Sequence, residues 1–127
     1  MKTGNCILIV EDSRTQALML KHQLESFSCL VEIACSAEAA LEVIKERRPS
    51  LIISDFVMAD MNGVNLCQKI RQDPDFSSIP FILMTARDDI FEGQETIGKG
   101  GPDALITKPV ECGQLDQLLK KFMNSES

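Results

Sequence analysis

Five short apolar runs recur along the chain, with about 20 to 30 residues from the start of one run to the start of the next. The runs cover residues 6–10, 30–34, 51–54, 81–85 and 104–107. Each run is long enough for a β-strand and too short for a helix. Between the runs, apolar residues recur at spacings of three and four, the period of a helix with one buried face. The pattern therefore predicts strands that alternate with helices.

Four of the intervening stretches carry helical signals. The first is built on Ala17, Leu20, Leu24 and Phe27, the second opens at Ser36 and stops before Pro49, the third covers about 63–72, and the last covers 111–123. Ser36 is a good N-cap, and proline cannot continue a helix. Residues 88–101 contain four glycines. Each glycine lowers the stability of a helix by about 1 kcal/mol relative to alanine, so we expect only a short, mobile helix there.

The apolar runs are continuous rather than alternating, which is typical of a parallel sheet covered by helices on both faces. Right-handed crossovers between parallel strands then produce an open, doubly wound α/β sheet of five strands. A chain of 127 residues has the usual size of one domain and can bury a single core. We expect one domain over residues 1–127, with a core at about 5–123 and a loose tail at 124–127.

Charge and hydropathy exclude two kinds of partner. The chain has 19 acidic and 13 basic side chains, a net charge of −6, so its surface should repel a phosphate backbone. Its longest apolar stretches span about five to seven residues, far fewer than the roughly 20 that cross a bilayer, and no signal-peptide pattern opens the chain. We expect a cytoplasmic protein that binds neither nucleic acid nor membrane.

The cysteines and the single histidine limit the possible chemistry. The five cysteines are odd in number and form no Cys-x-x-Cys pair, so we predict reduced side chains in the core. The only histidine, His22, falls in a predicted surface helix. Neither a zinc cluster nor a Ser/His/Asp triad can be assembled from this set.

Charged and polar residues stand at the ends of the predicted strands. Glu11 and Asp12 follow the first run, Asp55 follows the third, Thr85 ends the fourth and Lys108 follows the fifth. In an open parallel sheet the carboxyl ends of the strands meet where ligands bind. Each residue alone has a simpler explanation as a helix-dipole partner, a strand-end cap or a turn residue. Their shared location at one end of the sheet favours an active site.

These residue types suit phosphoryl transfer. Crowded carboxylates raise one another's pKa unless a divalent cation neutralises them, and Mg²⁺ prefers carboxylate, carbonyl and water oxygens. A lysine and a threonine hydroxyl can stabilise the remaining oxygens of a phosphoryl group. A carboxylate held in line can act as the nucleophile and form an aspartyl phosphate.

Taken together, the residues resemble the receiver domains of two-component response regulators over nearly the whole chain. The resemblance rests on Glu11 and Asp12, on Asp55 followed by Met58 and Gly63, on Thr85 and Ala86, and on Lys108 and Pro109. A lone acidic pair or a lone Lys-Pro would mean little, but the full set at these intervals is specific. The resemblance implies a flavodoxin-like sheet with the strand order 2-1-3-4-5.

The resemblance also implies which residues react and which bind a metal. Asp55 would accept a phosphoryl group from a sensor histidine kinase or a phosphotransfer protein. Asp12 would bind Mg²⁺ directly together with Asp55 and the backbone carbonyl of Val57, and Glu11 would reach the metal through water.

Lys108 and Thr85 would bind the phosphoryl group itself, Lys108 through an ion pair and Thr85 through its hydroxyl once Asp55 is modified. The new hydrogen bond of Thr85 would draw the loop after the fourth strand inward. It would change the surface formed by the fourth strand, residues 88–101, the fifth strand and the last helix. A downstream target, an output domain or a second copy in a phosphorylation-dependent dimer would bind there.

Two positions depart from the family's pattern. Leu105 stands where the family usually has an aromatic ring that swings inward with the threonine, so the relay to the surface is expected to differ. Ala59 stands where a proline usually follows Met58. The lost proline gives the unfolded loop more freedom, an effect of about 0.4–1 kcal/mol.

Three other functions use parts of this pattern. An aspartyl phosphatase needs a second acid two residues after its nucleophile, where this chain has Val57. A flavin-binding module needs a phosphate loop rich in Ser, Thr and Gly after the first strand, where this chain has Glu11, Asp12 and Ser13. A degenerate receiver that works only by protein contacts would keep the fold, but it would not need the full set of site residues.

Overall fold

The computed structural model describes residues 6–27, 29–58, 60–86 and 101–123. The strands are β1 (Cys6–Val10), β2 (Leu30–Ala34), β3 (Leu51–Asp55), β4 (Phe81–Thr85) and β5 (Ala104–Thr107). The helices are α1 (Arg14–Glu25), α2 (Ala37–Glu46), α3 (Gly63–Arg71) and α4 (Cys112–Phe122). Every strand lies at its predicted place, and β3 extends one residue further to include Asp55. Ala59, Phe91, residues 124–127 and all but the last residue of the predicted helix at 88–101 lie outside the described residues.

All five strands are parallel and form one sheet in the order β2-β1-β3-β4-β5, which confirms the predicted fold class and strand order. The order reverses direction between β1 and β3, so the crossover helices lie on both faces. Val10 pairs with Ser54, and Asp55 pairs with Met84. The carboxyl ends of the three central strands therefore lie side by side, at the point of the sheet where ligands bind in such folds.

Strand side chains alternate between two apolar cores, one on each face. In β1, Leu8 and Val10 belong to the core that α2 and α3 cover, called here the α2/α3 core. Ile7 and Ile9 belong to the core that α1 and α4 cover, called here the α1/α4 core. Because helices exclude water from both faces, neither set of strand residues needs to be polar. This arrangement explains why the apolar runs are continuous.

Two loop residues satisfy the N-terminus of α2. Ser36 accepts a hydrogen bond from the N–H of Ala39 at 3.0 Å, as expected of the predicted N-cap. Asp60, in the loop after β3, accepts hydrogen bonds from the N–H groups of Ala37 and Glu38 at 3.2 and 3.1 Å. These bonds, that of Glu38 foremost, lower the pKa of the Asp60 carboxyl. These hydrogen bonds connect the loop that follows Asp55 to the N-terminus of α2.

The prediction that the cysteines lie in the core is wrong for four of the five. Only Cys67, in α3, is buried, and burial raises the pKa of its thiol to about 11. Cys6 and Cys29 are half-buried, and Cys35 and Cys112 are exposed, although all five are free thiols. These four residues stand at the first residue of an element or just outside one, where an apolar run does not determine burial.

The prediction that His22 lies on the surface of a helix is confirmed, because it is exposed on α1. Phe81, Met58 and Met84 belong to the buried cores. In the part of the chain that the structure describes, none of the helices has the length and apolar composition to cross a membrane.

Candidate functional site

Glu11 directly follows β1 and is buried, with 2% of its surface exposed. Its Oε2 accepts a hydrogen bond from the N–H of Ser13 at 3.1 Å, and its own N–H donates to the carbonyl of Ala34 at 3.0 Å. Burial raises the pKa of the Glu11 carboxyl, and the hydrogen bond from Ser13 opposes this rise only in part. The charge of Asp55 raises the pKa further, and Lys108 lowers it. A buried carboxylate in this state is stabilised by a nearby cation.

Asp55 ends β3, and the backbone around it is held on both sides. The Ser54 hydroxyl donates to the carbonyl of Asp55 at 2.9 Å. The N–H of Phe56 donates to the carbonyl of Met84 at 2.8 Å, and the N–H of Gly63 donates to the carbonyl of Phe56 at 2.7 Å. Asp55 itself is 8% exposed, so its carboxylate is attached to a rigid, mostly buried backbone.

Gly63 lets α3 begin directly against this backbone. A Cβ atom at this position would lie 2.5 Å from the carbonyl oxygen of Asp55 and 2.5 Å from Cδ1 of Leu83. Both distances are far below van der Waals contact, and one of the two atoms belongs to the main chain. The close approach of α3 to β3 therefore requires a residue without a side chain.

Glu11, Asp12 and Asp55 form an acidic cluster in which one carboxylate oxygen of each residue lies within 4.8 Å of the others. Glu11 and Asp55 are buried, and Asp12 is exposed, so the cluster is open to solvent on one side. Three carboxylates at this spacing fit a hard divalent cation such as Mg²⁺, which takes oxygen ligands and keeps several waters. Val57 lies in the loop two residues after Asp55, with its side chain 60% exposed.

Lys108 brings a cation to the same place. Its Nζ lies 2.9 Å from Asp55 Oδ1, 3.3 Å from Glu11 Oε1 and 3.0 Å from Gln16 Oε1. Its backbone N–H donates to the carbonyl of Thr85 at 2.9 Å, which ties the end of β5 to the end of β4. Burial by itself lowers the pKa of Lys108, but the hydrogen bonds and charges of Asp55 and Glu11 outweigh it, and the pKa is raised. Lys108 is therefore a cation at the site.

Thr85 ends β4 and is fully buried. It follows Met84, the residue of β4 that pairs with Asp55. Among the described residues, its Oγ1 is the only buried side-chain oxygen or nitrogen without a hydrogen-bond partner. Leaving a buried hydroxyl unpaired costs about 1–3 kcal/mol. An oxygen of a ligand bound at Asp55 would give this hydroxyl the partner that the described residues do not provide.

The structure thus brings Glu11, Asp12, Asp55 and Lys108 into one cluster and puts Thr85 beside it. Sequence reasoning missed Gln16, which lies 92 positions from Lys108 and contacts its ammonium. The only indication in the sequence was its position in the first turn of the helix that follows the acidic pair. A glutamine at such a position does not by itself indicate a contact with a distant lysine. Partner residues so far apart in sequence are identified only by the fold.

A groove of about 870 Å³ runs from this cluster along α1. Glu11 and Lys108 line one end of the groove, and Leu18, Met19 and Val110 line its apolar part. Leu18 is 46% exposed and Met19 is 64% exposed. An apolar groove therefore adjoins the charged cluster.

Comparisons with known proteins point to one family. The family model for the response regulator receiver domain matches residues 7–120. Histidine kinase P4 of Formosa agariphila is 35% identical over 127 residues, which cover 98% of this chain and 9% of that kinase. The chain also covers 51% of the phosphate regulon transcriptional regulatory protein PhoB of Rhizobium meliloti, which is 28% identical. The chain thus spans about half or less of the length of these two relatives.

Solved structures share the fold. The receiver domain of a signal transduction histidine kinase from Syntrophus aciditrophicus is 36% identical, with a TM-score of 0.83 and coverage of 98% of this chain and 96% of that one. The receiver domain of the sensor histidine kinase PA1611 from Pseudomonas aeruginosa is 22% identical, with a TM-score of 0.85 and coverage of 97% and 100%. That second protein has a magnesium ion coordinated in its active-site cleft.

Proposed function

This chain belongs to the response regulator receiver domain family, and from that premise we propose that Asp55 accepts a phosphoryl group from a histidine kinase or a phosphotransfer protein. The observation that carries the proposal is the environment of the Asp55 carboxylate. Lys108 Nζ lies 2.9 Å from its Oδ1, and the carboxylate shares an acidic cluster with Glu11 and Asp12. A carboxylate oxygen of Asp55 is thus held beside the Lys108 ammonium and beside a cluster that could bind a divalent cation.

Mg²⁺ is the cofactor we propose for this site. Asp12, Asp55 and the backbone carbonyl of Val57 would bind it directly, and Glu11 would hold one of its waters. The spacing of the three carboxylates supports this set, as does the magnesium in the active-site cleft of the PA1611 receiver domain. When bound, the metal neutralises charge on the oxygens of the phosphoryl group.

In the transfer, a carboxylate oxygen of Asp55 attacks the phosphorus atom, and the bond between phosphorus and the donor's histidine nitrogen breaks. The leaving nitrogen keeps the electron pair of that bond. Asp55 becomes an acyl phosphate, so negative charge moves from its carboxylate to the phosphoryl oxygens. Lys108 Nζ is within hydrogen-bond distance of Asp55 and would donate to one of these oxygens.

The Thr85 hydroxyl would gain its missing partner in the modified protein. Oγ1 is buried and unpaired among the described residues, so it is free to donate to a phosphoryl oxygen. This bond would pull the end of β4 toward Asp55 and change the surface formed by β4, residues 88–101, β5 and α4. Leu105 packs against the α2/α3 core from β5, opposite Leu83 of β4. A movement of β4 would therefore be transmitted to β5 by contact between Leu83 and Leu105, in place of the aromatic side chain that the family usually has at position 105.

We also propose that residues 1–127 act as one receiver unit that catalyses only its own phosphorylation and dephosphorylation. The apolar, exposed side chain of Val57 supports this, because it cannot activate a water molecule as a phosphatase acid would. A downstream target, an output domain or a second copy of the chain would recognise the changed surface.

Labelling with acetyl phosphate in Mg²⁺ tests the proposal. We expect the wild-type protein to gain one phosphoryl group, measured by intact-mass spectrometry, and Asp55→Asn to gain none. Asp116→Asn is the matched control, because Asp116 is a surface carboxylate on α4 that pairs with Lys120, away from Asp55; it should label as the wild type does. Labelling of Asp55→Asn would contradict the proposal, and so would a folded wild-type protein that neither labels nor binds beryllofluoride.

A further inference from the structure

In the described part of the chain, three acceptors surround the Lys108 ammonium, which matches its three N–H donors. Two of them, Asp55 Oδ1 at 2.9 Å and Glu11 Oε1 at 3.3 Å, belong to carboxylates of the proposed phosphoryl site. The third is the amide oxygen of Gln16 at 3.0 Å. This neutral acceptor lies closer to the ammonium than Glu11 does. Gln16 is neither one of the proposed metal ligands nor the nucleophile, so its contact with Lys108 needs a separate explanation.

Gln16 is held in this position by the start of α1. Its N–H donates to Oγ of Ser13, the N-cap of the helix, at 3.3 Å. The N–H of Ser13 donates in turn to Glu11 Oε2 at 3.1 Å. Glu11 therefore contacts Lys108 through one oxygen and the start of α1 through the other. The helix that carries Gln16 is aligned by the same carboxylate that pairs with the lysine.

The two carboxylate acceptors change during phosphorylation, whereas the amide does not. Asp55 exchanges its carboxylate charge for an acyl phosphate, and a bound divalent cation competes with Lys108 for Glu11. A lysine is a point charge on a flexible four-carbon stem, so it needs a fixed partner to stay in one place. We propose that Gln16 is a positioning residue that keeps Lys108 Nζ at the phosphoryl group while its carboxylate partners change. This inference rests on the proposed function of Asp55 and Lys108.

Gln16→Met removes the acceptor and little else. Gln16 is exposed on α1, and methionine has similar length and similar helix propensity, so the fold is retained. Because one hydrogen bond to a charged group is lost, we expect the affinity for beryllofluoride in Mg²⁺ to fall about three- to tenfold. The rate of labelling by acetyl phosphate should fall by a similar factor. Gln16→Glu keeps an acceptor but adds a negative charge, so it should also bind the anion more weakly.

The NMR signals of the Lys108 side chain supply a readout that needs neither metal nor donor. A lysine held by three acceptors has two inequivalent Hε protons and restricted motion, whereas a freely rotating lysine has equivalent Hε protons and high mobility. We expect Gln16→Met to merge the two Hε signals of Lys108 and to increase its mobility. Gln16→Glu should preserve the separation, which distinguishes loss of the acceptor from a change of charge.

Gln23→Met is the matched control, because it makes the same substitution two turns further along α1. The Gln23 amide donates to the carbonyl of Val110 at 3.2 Å, away from the Lys108 ammonium. It should leave beryllofluoride affinity and the Lys108 signals at their wild-type values. Equal losses in Gln23→Met and Gln16→Met would overturn the inference, because the effect would then come from α1 as a whole.

Failure of the inference is distinguishable from failure of the proposed function. If the wild-type protein binds beryllofluoride and Gln16→Met binds it equally well, with unchanged Lys108 signals, Gln16 does not position the lysine and the proposed function stands. If the folded wild-type protein neither binds beryllofluoride nor labels, both proposals are wrong. A fall in affinity together with merged Lys108 signals in Gln16→Met alone would support both.

Discussion

Arg71 at the amino end of the sheet resembles Lys108 at the carboxyl end, because each is a cation that joins several segments of the chain and forms an ion pair with a carboxylate. The Arg71 side chain, on α3, is 15% exposed, and its guanidinium donates to Asp103 at 2.8 Å. It also donates to three backbone carbonyls, those of Ser77, Ile79 and Gly101. Asp103 in turn accepts the N–H of Phe81 at 2.9 Å. This network joins α3 to the starts of β4 and β5 with groups that the chain itself supplies.

At the carboxyl end the pairing is incomplete. The Thr85 hydroxyl has no partner in the part of the chain that the structure describes, and burial raises the pKa of Glu11. In the described ranges, the three clustered carboxylates have one lysine beside them, Lys108, whereas Arg71 contacts one carboxylate and several carbonyls. The difference teaches that the Arg71 network at the amino end is paired by described residues alone, whereas the carboxyl end carries charges and a hydroxyl that a metal and a phosphoryl group would satisfy.

The largest effect is expected from breaking the amino-end network. Arg71→Met should lower the free energy of unfolding by about 2–4 kcal/mol, because several acceptors, most of them partly buried, lose a charged donor at once. Urea denaturation measures this change. Arg47→Met is the control: the Arg47–Glu32 pair is largely exposed, with the Arg47 side chain at 66%, and its loss should cost less than about 1 kcal/mol. Equal costs for the two variants would show that the Arg71 network does not stabilise the fold.

A smaller effect of opposite sign is expected at Thr85. Thr85→Val keeps the shape and removes the unpaired hydroxyl, so the free energy of unfolding should rise by about 1 kcal/mol. The same variant should lose the beryllofluoride-induced NMR shifts in β5. Thr107→Val is the matched control, since Thr107 pairs with Thr85 across the β4–β5 ladder and is only half-buried. It should keep the shifts, and a clear destabilisation by Thr85→Val would contradict an unpaired hydroxyl.

The smallest effects are expected from two carboxylates whose pKa shifts have opposite signs. The pKa of Asp60 is lowered in the folded protein, so its stabilisation is present above its unfolded value of 3.8 and is lost as pH falls through the folded value. Asp60→Asn should therefore lower the thermal midpoint slightly near neutral pH, and the difference from the wild type should vanish in acid.

The pKa of Glu11 is raised, so its contribution is greatest below its unfolded value of 4.5 and is lost as pH rises through the folded value. Without metal, Glu11→Gln should therefore raise the thermal midpoint near neutral pH. A pH series of melting curves in chelator checks both variants, and shifts of the same sign in the two variants would contradict this assignment.

Much of the fold was predictable because its signals are local. An apolar run of about five residues can be buried on both faces only in a sheet covered by helices, so the runs predicted the strands and their parallel arrangement. Ser36 capped α2 as predicted, because N-capping involves only four consecutive positions, here 36–39. The cysteines at the ends of elements were assigned wrongly, because burial at an end depends on what packs there.

The missed residues share one property, which is that their partners lie far away in sequence. Asp60 caps a helix that begins 23 positions earlier, and Arg71 reaches Asp103 across 32 positions. A loop aspartate or a helix-end arginine looks the same in sequence whether or not it has such a partner. Gln16 belongs to the same class.

The sequence by itself determined the parallel α/β sheet and the set of residues at its carboxyl end. Apolar runs that alternate with helical stretches predict parallel strands, and the residues that follow each run then lie at the same edge of the sheet. Only the tertiary structure decided which of those residues are paired. Among the described residues, it gave Lys108 three acceptors, left the Thr85 hydroxyl without one, and required a glycine at position 63. Hydrogen bonds and pKa values depend on distances of a few ångströms between segments that the fold alone brings together.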